Sequence, residues 1–220
     1  MRHNLLLWEH GRRASPVVGI ILAAGQARRM GRAKLALPWG RETVIARVVQ
    51  LAQAAACEPV VVVTGGWAQA VRDALAAYAV HFAWNPEYAD GSMTRSLQIG
   101  LRHAPPWAEA ALIFLGDQPH LPPSLGQAVR AAWPRAAEAI WQPSYHGRRG
   151  HPWLLPRRWW PALLAWPPER TLRAFIQHYA IPRYTVPSPN DAILHDMDTP
   201  EDYQRLLARY GPGSDNGGNM

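Results

Sequence analysis

Basic side chains and glycines are interleaved in one short segment near the start of the chain. Residues 19–34, GIILAAGQARRMGRAK, begin with an apolar run and continue into a loop with four basic residues, Arg28, Arg29, Arg32 and Lys34. A guanidinium can hold a phosphate through two parallel hydrogen bonds, and an ammonium adds a compact point charge. Gly25 can turn the chain and lets backbone N–H groups approach a phosphate without a Cβ in the way. The segment therefore predicts a binding site for a strongly anionic group, and a solvated basic loop is the structural alternative.

Carboxylates that could bind a metal ion lie in two later segments. Asp117 follows an apolar run in GDQP, and Asp196 and Asp198 lie in DMDTPEDY. Mg²⁺ takes carboxylate oxygens and completes its shell with phosphate oxygens and water. We expect Asp117 and Asp198 to be the ligands, with Asp196 the weaker candidate and a turn-forming role the alternative for Asp117. The residues from Thr199 onward are sufficiently explained as the N-cap and acidic first turn of a helix.

Apolar strands alternate with amphipathic helices over the first half of the chain. Continuous apolar runs predict strands at 17–23, 59–66 and 110–117, with a shorter one at 80–85. Helical spacing predicts helices at 43–57, 67–78 and 93–104. This alternation indicates an α/β fold with a parallel sheet and right-handed crossovers. Ligands bind beyond the carboxyl ends of such strands, so the loops AAGQARRMGRAK, TGGW and GDQP are expected to converge at one edge.

Length and composition favour a single domain that binds small anions. The chain has 220 residues and a formal charge of +7, which favours an anionic partner without naming it. No standard P-loop or GxGxxG fingerprint is present. Cys57 is the single cysteine, which excludes an intrachain disulfide and a cysteine-based zinc site. We expect an N-terminal extension over 1–16, a domain over 17–210 and a disordered tail over 211–220.

No segment reads as a membrane span or as a signal peptide. The longest apolar stretches are too short to cross a bilayer, and NLLLW near the start is too short for a signal-peptide core. We therefore expect a cytoplasmic protein. We further expect it to be a monomer or a weak homo-oligomer and to bind no nucleic acid. Residues 151–170 are dense in proline and tryptophan. They form either a structural layer over one sheet edge or a lid that stacks on a flat heterocycle.

Residues 22–34, LAAGQARRMGRAK, resemble the LAAGxSxRMGxxK signature of small nucleotidyltransferases that use a nucleoside triphosphate and release pyrophosphate. GDQP, GRRGHP and DMDTPEDY follow in the order and spacing of molybdenum cofactor cytidylyltransferases, to which residues 17–210 are similar. The resemblance implies a Rossmann-like, three-layer α/β fold with a mostly parallel sheet. It implies transfer of CMP from CTP to the terminal phosphate of molybdopterin, which gives the cytosine dinucleotide form and pyrophosphate.

The resemblance also implies roles for individual residues. The nucleotide would contact Leu22, Ala23, Ala24, Gly25, Arg29, Lys34, Gly65, Asn85 and Ser96. Catalysis would fall to Lys34, Arg29 and Asp117, with Mg²⁺, or Mn²⁺ in its place, on Asp117 and Asp198. Gly150 and His151 of GRRGHP would contact the acceptor, although His151 could equally pack in a turn.

The sequence departs from the family pattern in three places, one of which is the segment after Asn85, which resembles the family's glycine-serine turn before a helix but is slightly longer. Ala27 replaces a small hydroxyl residue, which removes one phosphate contact, and PPERTLR (residues 167–173) stands where the family has glycine, aspartate, glycine, alanine and arginine. The sequence therefore does not identify the acceptor, and it does not identify a molybdoenzyme that would receive the product. A guanylyltransferase, a cytidylyltransferase for another small phosphate and a non-catalytic nucleotide-binding chaperone are the alternatives.

Overall fold

An eight-stranded, mostly parallel sheet runs through the computed structural model, which describes residues 16–27 and 29–213. Its strands and a small β2–β3 hairpin are β1 (Val17–Ala23), β2 (Pro38–Trp39), β3 (Glu42–Thr43), β4 (Val60–Thr64), β5 (His81–Trp84), β6 (Ala110–Leu115), β7 (Ile140–Tyr145), β8 (Arg148–Arg149), β9 (Trp153–Pro156) and β10 (Arg183–Pro187). Arg28, nearly all of the expected extension over 1–16 and most of the expected tail over 211–220 lie outside the described residues.

Helices cover both faces of the sheet. They are α1 (Val44–Ala54), α2 (Ala68–Ala74), α3 (Met93–Arg102), α4 (Pro123–Ala132), α5 (Trp160–Ala165), α6 (Leu172–His178) and α7 (Pro200–Tyr210). Side chains of α1, α2, α4 and α7 pack into the hydrophobic core on one face, and those of α3, α5 and α6 pack into the core on the other. The predicted three-layer α/β architecture is confirmed.

The central position of β1 in the sheet explains why its sequence is apolar at every residue and does not alternate with polar residues. Ile21 and Ala23 enter one core, whereas Val18 and Ile20 enter the other, so both faces of the strand are buried. The sheet order is β10-β7-β9-β6-β1-β4-β5, with β8 paired to β7. β1 pairs in parallel with β4 and with β6. The chain thus builds outward from β1 in both directions, and a crevice forms where the carboxyl ends of these strands meet.

The half of the sheet beyond β6 contains an antiparallel strand, β9, that the sequence pattern did not predict. β9 lies antiparallel between β6 and β7, and β10 then pairs in parallel with β7. The tryptophan-rich segment supplies β9 and α5, and the side chains of Trp160 and Trp166 are buried in the core beside α3. The structural-layer interpretation holds for these two residues. No helix in the described part of the chain is long and apolar enough to cross a membrane.

Two helix ends have clear local causes. α1 stops at Ala54, short of the expected end, because Ala56 adopts a left-handed conformation with φ of 52°. This reversal places Cys57 in the core, where burial raises the pKa of its thiol to about 12. The predicted cap of α7 is confirmed: the Thr199 hydroxyl accepts from the Asp202 N–H, and the Asp202 carboxylate accepts from the Thr199 N–H.

Candidate functional site

The loops that follow β1, β4 and β6 meet around a cavity of about 720 Å³, as the sheet pattern predicts. β1 and the first loop contribute Leu22, Ala23, Ala24, Gly25, Gln26, Ala27, Arg29, Lys34 and Leu35. The other walls are Trp67 after β4, residues 88–93 and Ser96 around the start of α3, Leu115 and Asp117 at the end of β6, and Asp198 before α7. Most of the residues expected at a nucleotide therefore lie on one concave surface.

The first loop offers open backbone to a ligand. A Cβ added to Gly25 would meet nothing within 4 Å, so the space beside this residue is free for a ligand. The left-handed residues of the loop are Ala27, with φ of 48°, and Gly31, with φ of 63°, and not Gly25. The Ala27 carbonyl accepts hydrogen bonds from the N–H groups of Met30 and Gly31. Gly25 thus leaves space for a ligand beside the backbone, and the turn is formed after it, by Ala27 and Gly31.

Gly65 and Asn85 lie behind the cavity wall and do not line it. A Cβ on Gly65 would fall 2.6 Å from the Tyr88 Cβ and would also collide with the Ala24 carbonyl oxygen. Asn85 is buried, and its amide nitrogen donates to the Ser96 hydroxyl at 3.1 Å. The two residues set the positions of Ala24, Tyr88 and Ser96, which do line the cavity. Direct contact of Gly65 or Asn85 with a nucleotide stays a prediction.

Lys34 lies at the centre of the charged cluster in this cavity. It is the only lysine of the chain, and its side chain is 11% exposed. Its ammonium donates to Asp117 Oδ2 at 2.6 Å, to the Met197 carbonyl at 3.0 Å and to Asp198 Oδ1 at 3.3 Å. Arg29 Nη2 lies 2.9 Å from Asp198 Oδ2. The residues expected to hold phosphates thus neutralise those expected to hold the metal.

Burial and charge act in opposite directions on this cluster. Burial alone would lower the pKa of Lys34, but attraction and hydrogen bonds from Asp117 and Asp198 outweigh it and raise the pKa. Lys34 is therefore fully protonated at neutral pH. Burial, together with repulsion from Asp117 and Asp198, raises the pKa of Asp196. When Asp196 is ionised, the three carboxylates of the cluster outnumber its two cations, Lys34 and Arg29, and this favours the binding of an additional cation.

The donor set fits a hard divalent cation that also binds phosphate. Asp117 and Asp198 direct oxygens to one point, where the Lys34 ammonium now lies. Within the described residues, no group of three or more histidine, cysteine, aspartate and glutamate side chains forms a metal cage. A cation on these two carboxylates would need further oxygens from a bound ligand and water, which is the usual arrangement for Mg²⁺ with a nucleotide.

Gly150 and His151 lie at a second cavity, of about 510 Å³, which shares Met93 with the first. Gly150 packs tightly, since a Cβ there would lie 2.7 Å from the Ile193 Cβ. His151 Nε2 is buried and has no hydrogen-bond partner among the described residues. Burial lowers the pKa of His151 to about 4, against an opposing attraction from Asp117. His151 is therefore neutral at pH 7 and has a free ring nitrogen beside the second cavity.

Two aromatic side chains form a wall of the first cavity that was not predicted from the sequence. Trp67 and Tyr88 both line it, and Trp67 Nε1 donates to the Gln26 carbonyl at 2.8 Å, which ties the TGGW loop to the first loop. The signal was present, because Trp67 directly follows the glycine pair of a loop expected at the site. Two flat side chains beside open backbone can bind a planar ring.

Comparisons with known proteins agree with this geometry. A family model, the MobA-like NTP transferase domain, matches residues 19–183. A molybdenum cofactor cytidylyltransferase from Escherichia coli is 28% identical over 194 residues, which cover 87% of this chain and 95% of that protein. A molybdenum cofactor guanylyltransferase from Rhodobacter capsulatus is 30% identical over 198 residues, which cover 88% of this chain and 96% of that protein.

The fold also matches solved structures. The structure of Rv0371c from Mycobacterium tuberculosis in complex with manganese superposes with a TM-score of 0.73 at 27% identity, over 87% of this chain and 97% of that chain. The family match covers most of the sheet, the first loop, Asp117 and every residue that lines the second cavity, whereas Asp198 lies beyond it. The chain therefore belongs to the family of MobA-like NTP transferase domains, which are nucleotidyltransferases.

Proposed function

We propose that this nucleotidyltransferase acts in molybdenum cofactor biosynthesis and transfers CMP from CTP to the terminal phosphate of molybdopterin, with release of pyrophosphate. The observation that carries the proposal is the Lys34, Asp117 and Asp198 cluster, which lies in the same cavity as the open backbone at Gly25. The E. coli relative is named for the cytidylyl reaction. The R. capsulatus relative, named for the guanylyl reaction, makes transfer of GMP from GTP the second candidate.

Charge balance explains why the nucleotide would arrive together with a divalent cation. The positive charges of Lys34 and Arg29 are already balanced by Asp117 and Asp198. A triphosphate that entered this cluster alone would meet little net positive charge. Mg²⁺, or Mn²⁺ as in the Rv0371c complex, would be held by Asp117 and Asp198 and would supply charge neutralisation to the phosphates.

The protein's own groups would then position two phosphates. The first loop offers its backbone at Gly25 to the triphosphate, and Arg29, which is 72% exposed, can turn from Asp198 to a phosphate oxygen. Lys34 would be released in part from the carboxylates and would stabilise charge on the α-phosphate. The acceptor phosphate attacks the α-phosphorus in line and pyrophosphate leaves. Since that phosphate is ionised near pH 7, no general base is needed, and catalysis consists of positioning and charge stabilisation.

The aromatic wall bears on the choice of base. Trp67 and Tyr88 stand on the side of the cavity formed by the loop after β4 and by residues 88–93. They offer flat faces to a nucleobase, and stacking on such faces tolerates any base. Discrimination of cytosine from guanine would then come from polar backbone groups around Leu22, Ala23 and Ala24, which contact the base edge.

The proposal is tested by the melting temperature of the protein with Mg²⁺ and each of CTP, GTP, ATP and UTP. A ligand that binds only the folded state raises this temperature. We expect a rise with CTP that is lost in Asp117→Asn and kept in Asp73→Asn, an exposed aspartate of α2 outside the cavity. A rise with GTP alone would replace the cytidylyl proposal by the guanylyl one.

Pyrophosphate release then separates an enzyme from a binding protein. We expect release with nucleotide, Mg²⁺ and molybdopterin together, and about a hundredfold less with Lys34→Ala or Asp117→Ala. A nucleotide-dependent rise in melting temperature without any release would favour the non-catalytic chaperone. No response to any of the four nucleotides, with or without molybdopterin, would refute the proposed function.

A further inference from the structure

Three arginines from three separate elements meet at the second cavity. Arg149 belongs to β8, Arg173 to α6 and Arg183 to β10, and all three line this space. The cavity of about 510 Å³ lies next to the first cavity, since Met93 at the start of α3 lines both. A ligand that bridges the two would pass Met93.

Within residues 16–27 and 29–213, no carboxylate lies within ion-pair distance of Arg149, Arg173 or Arg183. Burial, together with repulsion from Arg149 and Arg173, lowers the pKa of Arg183. The fold therefore places three exposed guanidinium groups around one cavity, an arrangement whose positive potential attracts an anion.

Uncharged groups complete the cavity on the side toward the catalytic cluster. Gln142 is buried and lines it, as do Trp153 and His151, whose Nε2 is buried and lacks a partner in the described part of the chain. The electrostatic attraction between His151 and Asp117 shows that this wall is near the expected metal ligands. The second cavity thus has a cationic outer part and a hydrogen-bonding part that faces the reaction centre.

We propose that the cavity lined by Arg149, Arg173 and Arg183 binds a second anionic group of the acceptor, remote from the phosphate that attacks the nucleotide. This inference rests on the proposed function and adds a requirement on the substrate. The acceptor carries a phosphate at one end and a group with two or more negative charges at the other. Guanidinium groups suit an oxyanion because they hold it through paired N–H donors.

A direct binding experiment uses inorganic tungstate, a tetrahedral dianion, as the probe. Calorimetric titration of the full chain is expected to show saturable binding that the double variant Arg173→Gln, Arg183→Gln weakens by about tenfold or more. Arg148→Gln is the matched control, since Arg148 neighbours Arg149 on β8 but does not line the cavity. The altered arginines are exposed, and the melting temperature of each variant verifies that the fold is intact.

Repeating the titration with Mg²⁺ and saturating CTP tells the two cavities apart. Tungstate affinity is expected to stay unchanged when the nucleotide cavity is filled. Displacement of tungstate by CTP would overturn the proposal, because the arginines would then belong to the triphosphate site. Equal tungstate binding by the wild type and the double variant would overturn it as well. Failure of every nucleotide to bind would refute the proposed function, while the tungstate series would still decide whether the anion site exists.

Steady-state kinetics identifies the anion as part of the acceptor. The double variant is expected to raise the KM for the acceptor by about tenfold or more, while the KM for the nucleotide changes by less than about twofold. A selective rise in the KM for the nucleotide would overturn the assignment to the acceptor. The Arg148→Gln control is expected to match the wild type in both constants.

Discussion

Lys34→Met removes one charge from the carboxylate cluster and leaves an apolar stem of similar length. The ammonium of Lys34 donates to Asp117, Asp198 and the Met197 carbonyl, so the variant leaves three acceptors without a donor. Removing one partner of a buried ion pair costs about 3–5 kcal/mol. The Asp117 and Asp198 side chains are 25% and 35% exposed, so water compensates in part. We therefore expect a loss of about 2 kcal/mol, which lowers the melting temperature of a chain of this size by about 5 °C.

Magnesium gives this prediction its specific signature. With the ammonium gone, Asp117 and Asp198 face each other without the cation between them. Mg²⁺ alone, without nucleotide, is then expected to raise the melting temperature of the variant by more than it raises that of the wild type, because the ion no longer competes with Lys34. Turnover is still expected to fall by about a hundredfold, because Mg²⁺ at the carboxylates does not supply the donor at the α-phosphate.

The assay is differential scanning fluorimetry with and without Mg²⁺, and Arg29→Met is the control. Arg29 also pairs with Asp198 but is 72% exposed, so its loss is expected to change stability by less than about 1 kcal/mol. An independent readout follows from the chain having one lysine, because a ¹³C-methyl label on its amine gives a single side-chain resonance that should move when Mg²⁺ binds. A Lys34→Met protein with the melting temperature and magnesium response of the wild type would refute the reasoning.

Three further predictions concern residues around the site. Gly65→Ala is expected to lower the melting temperature because the added Cβ collides with Ala24 and Tyr88. Gly25→Ala should leave the melting temperature unchanged and weaken nucleotide binding, since the added Cβ meets only open space. Scanning calorimetry checks the two melting temperatures, and titration calorimetry with CTP checks nucleotide binding. Tyr210→Phe removes the hydrogen bond that contributes most to lowering the pKa of Asp191 to about 2, while His195 and Arg209 stay in place. NMR titration should show that pKa rising part of the way toward 3.8, with a stability loss of about 1 kcal/mol. Burial lowers the pKa of His120 from 6.5 to about 4, so the unfolded chain takes up its proton first as the pH falls. Stability should therefore decline below pH 6.5, by up to about 1.4 kcal/mol per pH unit from this residue, and urea unfolding of His120→Gln should show a shallower decline.

Much of the fold and part of the site were readable from short-range patterns. The apolar run of β1 predicted a strand buried on both faces, and it begins and ends at Val17 and Ala23 as expected. The cap at Thr199 followed from the order of threonine, proline and acidic residues. The loops after β1, β4 and β6 were placed together because parallel strands bring their carboxyl ends to one edge. These features depend on residue type and local spacing, which a linear sequence contains directly.

Other features depend on partners far apart in the chain. The ammonium of Lys34 binds Asp117 and Asp198, which lie 83 and 164 residues away, whereas its contact with phosphate stays a prediction. The packing of α3 brings the amide of Asn85 to the Ser96 hydroxyl, and contact of Asn85 with a nucleotide stays a prediction. No local pattern specifies such distances, because they follow from how helices and strands pack.

The sequence by itself determined the α/β class, the basic first loop with its glycines, the carboxylates of GDQP and DMDTPEDY, and the helix cap at Thr199. Only the tertiary structure decided that β9 is inserted antiparallel between β6 and β7, and this insertion is what brings β8 and β10 to the same side as α6. Arg149, Arg173 and Arg183 become neighbours through it, although nothing in their local sequence relates them. Residue spacing encodes periodicity and turns, whereas the meeting of charges from separate elements is set by strand order and by packing across the sheet.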